Sequence, residues 1–227
     1  MNDLRKTPPM LAMLLAAGMA LADEHDHGQV AGTGVRTELH LGAHSWPSVG
    51  DLEPAAGGRF DDVGFSLGGS LHWPVGKQPD RRWLIGLDLG LFPTDSNIDF
   101  VSEDVVARGG YLTPSVKWQT KSGGPWTIDA GIGVYIVDIA EVVSAYGGFV
   151  ETELWEQTTL GGYVGTTWNS APNDAFDNNG LFVSLKIHFA DFGNVRDENP
   201  LLPTTLGSDA GKLSGPVYQV LIGYRWQ

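Results

Sequence analysis

The side chains able to do chemistry are few: six histidines, 27 acidic and 14 basic residues, and no cysteine. Without Cys there is neither a disulfide nor a thiolate metal site. His25 becomes the third residue of a chain processed after Ala22. The free Asp23 amine, two backbone nitrogens and the His25 imidazole then form the planar nitrogen set that Cu(II) and Ni(II) favour, with Asp26 and His27 beside it. The plainer alternative is an acidic tail that binds nothing. Of the remaining histidines, His44 and His188 are expected near one mouth of the fold, while His72 falls at the other end. Two imidazoles without a placed carboxylate make a weak metal site. A third group comprises Arg36, Glu38, Arg82, Asp88, Lys117, Asp129, Lys186 and Arg225, whose signs nearly cancel and which alternate with apolar neighbours. No G-x-S-x-G, H-E-x-x-H or phosphate-cradling loop is present, and Gly32-x-Gly34 and Gly131-x-Gly133 lack a strand-to-helix context. No catalytic residue and no cofactor is therefore expected.

The elements that must position these groups are strands. Residues 1–22 read as a secretory signal peptide: Arg5 and Lys6 form the positive region, Met10 to Leu21 the apolar stretch and Ala20-Leu21-Ala22 the cleavage site. Residues 23–34 read as a periplasmic N-terminal tail. From 35 to 227 the pattern has period 2, broken by Gly, Pro, Asn and Asp clusters. Eight segments result, at about 35–45, 61–73, 82–92, 111–118, 126–137, 158–168, 181–190 and 216–226. In the first, Val35, Thr37, Leu39, Leu41 and Ala43 oppose Arg36, Glu38, His40 and His44. In the fifth, Trp126, Ile128, Ala130, Ile132, Val134 and Ile136 oppose Thr127, Asp129, Gly131, Gly133 and Tyr135. The polar face is small and charge-balanced, which suits the lumen of a narrow barrel better than a water-facing surface. The apolar face then meets lipid, and the fold class is all-β, an eight-stranded antiparallel transmembrane β-barrel.

Connection lengths point the same way. Those around 46–60, 93–110, 138–157 and 191–215 read as long external loops, and those near 74–81, 119–125 and 169–180 as short periplasmic turns. The four long connections hold 15 acidic and 4 basic residues. The third of them, 138–157, carries Asp138, Glu141, Glu151, Glu153 and Glu156 and is expected to expose Tyr146, Phe149 and Trp155. Trp73, Trp83, Trp118, Trp126, Trp168 and Trp226 all flank the short turns or close the chain, as an interfacial aromatic girdle does.

Two stretches near the C-terminus carry a family resemblance. Lys186-Ile187-His188-Phe189-Ala190-Asp191-Phe192-Gly193 and Ile222-Gly223-Tyr224-Arg225-Trp226 resemble the penultimate and closing strands of small outer-membrane barrels of the OmpA-like, opacity-type and OmpW-like families. The resemblance implies a bacterial outer-membrane location and recognition of the last strand by the barrel-assembly machinery. Its penultimate-strand histidine is also similar to that of outer-membrane lipid A deacylases, which carry a Ser two residues on. Here His188 is followed by Ala190, so the attacking hydroxyl is missing from that position.

With a net charge of −13 a nucleic-acid partner is not expected. The expected function is a non-enzymatic envelope or surface-interaction role through acidic external loops, in contact with outer-membrane lipid, lipopolysaccharide and a possible surface ligand. The alternatives are a lipid A modifying enzyme and a narrow small-solute channel.

Overall fold

The computed structural model describes residues 35–52, 59–75, 83–97, 103–120, 124–145, 148–170, 179–196 and 210–226. The leader, the tail with Asp23 and His25, and Arg82 lie outside the described residues.

The elements in chain order are β1 (Arg36–Ser45), a one-turn helix α1 (Pro47–Gly50), β2 (Arg59–Phe60), β3 (Val63–Val75), β4 (Trp83–Asn97), β5 (Glu103–Gln119), β6 (Trp126–Ala145), β7 (Gly148–Asn169), β8 (Gly180–Val195), β9 (Gly211–Ser214) and β10 (Val217–Trp226). Eight of these strands close a ring. Each of β3 to β8 pairs antiparallel with the next, β1 pairs with β3, and β10 joins β8 to β1, with Arg225 opposite Gly180 on one side and Glu38 on the other. Closure removes the open edges along the paired length. The two remaining short strands, β2 and β9, pair with the upper parts of β4 and β8 at one mouth.

The burial pattern is that of a barrel turned inside out. Along β8, Leu181, Val183, Leu185, Ile187 and Phe189 face outward, while Phe182, Ser184, Lys186 and His188 are buried in the lumen. Five alternating positions cover about 26 Å of strand, or about 20 Å along the axis at a tilt of about 40°. The same outward belt continues through Leu39 and Leu41, Phe65 and Leu67, Ile128 and Ile132, and Val220 and Ile222. At its lower edge tryptophans meet across strands in two places, Trp83 with Trp118 and Trp126 with Trp168, while Trp226 stands opposite Thr37.

The described residues of two of the four long connections, 93–110 and 138–157, are strand instead. β5 begins at Glu103, and β6 and β7 pair up to Ala145 opposite Gly148. The charges in 103–110 and 138–157 make these stretches look like loops, but a hairpin continuing above an apolar belt tolerates charged side chains while its backbone stays hydrogen-bonded. Val105, Val106, Val137, Ile139, Val142 and Val143 supply the strand propensity. Trp155, expected to be exposed, is 4% exposed. The register shifts between Ile139 and Ala140, leaving Leu154 as the extra residue, so that Leu154 and Trp155 both turn inward. The backbone at Phe149 lies on β7; Tyr146 lies outside the described residues.

Candidate functional site: the filled lumen and its mouth

The interior is filled by pairing large side chains with glycine. Across adjacent strands Tyr111 faces Gly90, Phe92 faces Gly109, Tyr163 faces Gly131, Phe182 faces Gly223, and His40, His44 and His72 face Gly68, Gly64 and Gly86. A Cβ on Gly131 would lie 2.5 Å from the Tyr163 ring, and one on Gly90 2.7 Å from that of Tyr111. The glycines are therefore occupied space.

The charges sort along this packed column. Glu38 pairs with Lys117 and accepts a hydrogen bond from Ser70 at 3.0 Å. Lys186 stands between two carboxylates, 3.6 Å from Asp88 and 3.9 Å from Asp129. Asp88 also accepts from the Tyr163 hydroxyl and lies 4.0 Å from His72, whose Nε2 meets Ser115 at 3.1 Å. Arg225 donates to Asn169 at 2.8 Å, and Arg36 is buried beside the lower opening. The structure thus brings together Glu38, Asp88, Lys117, Asp129 and Lys186, with Arg225 bonded to an amide. Three carboxylates and four cations are buried in the lumen among the described residues. Burial of each charge requires partners, and these residues supply them.

Above the charges lies a neutral chain of hydrogen bonds. His188 Nε2 lies 2.8 Å from Gln219 Oε1, an atom that only accepts, so Nε2 carries the proton. Its Nδ1 then accepts from the Tyr135 hydroxyl at 2.9 Å. Gln219 donates onward to Ser66 at 3.2 Å, and Ser66 meets His44 Nδ1 at 3.2 Å. The rings of Tyr111 and Tyr163 pack on His188 at 4.6 and 5.3 Å. His44 and His188 are therefore joined through two intervening side chains, and no cluster of metal-ligating groups occurs among the described residues. Ser66 with His44 has the composition of a nucleophile and base, but both are buried and no carboxylate orients the second imidazole nitrogen among the described residues. His188 is engaged on both nitrogens, and at Ala190 only the backbone is polar, its carbonyl accepting from Gly215 N–H at 2.6 Å.

The mouth is closed by an apolar core that sequence patterning missed. The first long connection turns back over the lumen: Trp46 enters between Phe92 and Phe192 at ring distances of 5.2 and 5.8 Å. Val49, Leu52 and Phe60 follow it in, against Leu154, Trp155, Val195, Leu213 and Val217. Ser48 fastens α1 to β9 through Ser214, its hydroxyl both donating to the Ser214 carbonyl and accepting from the Ser214 N–H. Only the Trp46-Pro47 step and the apolar spacing of Val49, Leu52 and Phe60 betray this in the sequence. On the outer rim Asp191 accepts from Lys212 at 2.8 Å and from the Gly193 N–H at 3.1 Å, which holds its carboxyl below the usual carboxylate range.

The chain is similar to small outer-membrane barrels of known structure. OprG from Pseudomonas aeruginosa is 13% identical, with 86% of this chain and 98% of that one covered and a TM-score of 0.48. Ail, the attachment invasion locus protein of Yersinia pestis, is 12% identical over 84% and 98%, with a TM-score of 0.46. Neisserial surface protein A is 12% identical over 85% and 96%, with a TM-score of 0.43. No protein-family model and no curated protein matches the sequence. These likenesses say nothing of activity, and the barrel stands on its own hydrogen-bonded register.

Proposed function

We propose that this chain is a bacterial outer-membrane barrel with an envelope or surface-interaction role, and neither an enzyme nor an open pore. The observation that carries the reading is the apolar outer belt, edged with tryptophan, around a charge-paired interior. Lipid is the environment in which that belt is buried and those charges are not exposed. In this orientation the short turns and both chain ends lie in the periplasm, β10 is the strand offered to the barrel-assembly machinery, and the mouth core with its acidic rim faces outward, toward lipopolysaccharide and its bridging cations. Engagement of His188 inside the lumen, with Ala190 two residues on, favours a non-enzymatic role. The Trp46 core over the mouth favours a closed lumen.

The test is direct. The purified protein should need detergent to stay soluble and should shift in SDS-gel mobility on boiling. A detergent-free soluble protein with unchanged mobility refutes the membrane reading in favour of a soluble barrel. Lipid A from a strain overexpressing the protein should keep its mass spectrum; a new lipid A mass restores the enzyme reading.

A further inference from the structure

Among the described residues, β7 is paired for only part of its length on one side. That strand pairs with β6 from Trp168 up to Gly148, but with β8 only from Asn169 to Gly161, which faces Ala190. Beyond Ala190, β8 turns to β9 through a register shift between Asp191 and Gly193, where Gly193 has φ 84°. Among the described residues no strand pairs with β7 on that side from Glu156 to Leu160. In antiparallel pairing a residue's N–H and C=O point to one side, and successive residues alternate. The Thr167 carbonyl accepts from Thr127 on β6, and the Thr166 carbonyl from Ser184 on β8. Even-numbered residues therefore address the β8 side, and among the described residues Glu156 and Thr158 present their N–H and C=O groups, and Leu160 its N–H, to the unpaired edge. The Thr158 and Leu160 carbonyls accept from neighbouring side chains of the same strand, Gln157 at 3.1 Å and Thr159 at 3.5 Å.

We infer that this edge receives an extended segment of a basic partner polypeptide as an added strand. The inference rests on the proposed outward orientation of the mouth and deepens it by naming the partner's chemistry. Glu153 and Glu156 are exposed beside the edge, and Leu160 is 76% exposed at its lower end. A matching segment places Lys or Arg opposite the glutamates and an apolar residue opposite Leu160. A second copy of this chain is the poorer occupant. Two antiparallel β7 edges would set Glu153 and Glu156 against their own counterparts, in a chain of net charge −13.

The experiment uses the full chain in detergent micelles, with amide exchange read residue by residue. Without a partner, Thr158 and Leu160 should exchange at least about tenfold faster than Gln157 and Thr159, whose amides face β6. A synthetic heptapeptide Val-Thr-Thr-Thr-Lys-Thr-Lys, which in an antiparallel pairing sets Val opposite Leu160 and Lys opposite Glu156 and Glu153, should slow Thr158 and Leu160 about tenfold, and the same peptide N-methylated at every residue should not. Thr158→Pro, which removes an edge amide that β6 does not use, should weaken peptide binding about tenfold and keep the heat-dependent gel shift. Should that variant fail to fold, Glu153→Gln with Glu156→Gln serves: peptide affinity falls while the exchange alternation persists. Equal exchange at residues 157 to 160 without peptide overturns the inference, as does equal affinity for the N-methylated peptide or undiminished binding by the glutamine variant. The gel shift reports the membrane barrel separately, so failure of the edge and failure of the outer-membrane reading are told apart.

Discussion

Replacing Glu38 by Gln should be among the most damaging single changes in the lumen, and more damaging than removing its partner. Glu38 and Lys117 are 3% exposed, so the substitution strands an ammonium group in the packed interior. Breaking a buried pair in this way costs about 3–5 kcal/mol. The inventory of buried charge makes the cost asymmetric. Glu38→Gln leaves four cations against Asp88 and Asp129, whereas Lys117→Met leaves three against three. When Lys117 is gone, Glu38 keeps Arg225 opposite it in the β1–β10 register, and Asp129, opposite Lys117 in the β5–β6 register, keeps Lys186. Lys117→Met should therefore cost about 1–3 kcal/mol, and the double variant should be no less stable than Glu38→Gln, because neutralising both members of a buried pair is often nearly neutral. The assay is urea unfolding in micelles followed by tryptophan emission, with the gel shift as a second probe. Equal losses in the two single variants, or additive losses in the double, would refute the reasoning from charge balance.

Four further outcomes follow from the same packing. Ile132→Arg, at an outward position 77% exposed, should cost about 2–4 kcal/mol in lipid. Gly131→Ser, which faces the lumen and would pass for mild by patterning alone, should cost about 1–3 kcal/mol by overpacking against Tyr163, measured in the same urea titration. Planar bilayers should show no stable porin-scale conductance, and such conductance would return the channel reading. Processed protein should bind Cu(II) through Asp23 and His25, whereas one added residue before Asp23 should abolish binding; equal copper affinity in both forms refutes that site.

How much of this was legible depends on which interaction set each residue's place. The outward belt and the inward charges follow from period-2 alternation, and Glu38, Asp88, Lys117, Asp129 and Lys186 all fall where alternation puts them. The tryptophans at the turns are equally readable, since position along a strand decides them. The upper hairpin was not, because charge in 138–157 signals loop only where strand and solvent exclude each other, and above a belt they do not. Trp155 needed a bulge, which leaves no mark in alternation. The mouth core needed the chain to return across the barrel from Trp46 to Leu213, a long-range contact that no local window contains. His188 was readable as a lumen hydrogen-bonder, but its partners Tyr135 and Gln219 lie on β6 and β10, and only closure of the ring brings them in reach.

The pairing of rings with glycines also bears on how such a barrel finds its correct closure. A strand that zips two residues out of step keeps every apolar side chain outside and every polar one inside, so the belt has no means of rejecting it. The interior does. Slipped by two, Tyr111 would leave Gly90 and collide with Phe92 or crowd Asp88, and Phe182 would leave Gly223 for Leu221 or Arg225. Inside a column already filled, two large groups at one level have nowhere to go. The alternation of bulk and glycine thus works as a gauge read during assembly, sorting in-step closures from out-of-step ones by volume, from the side of the sheet that lipid never touches.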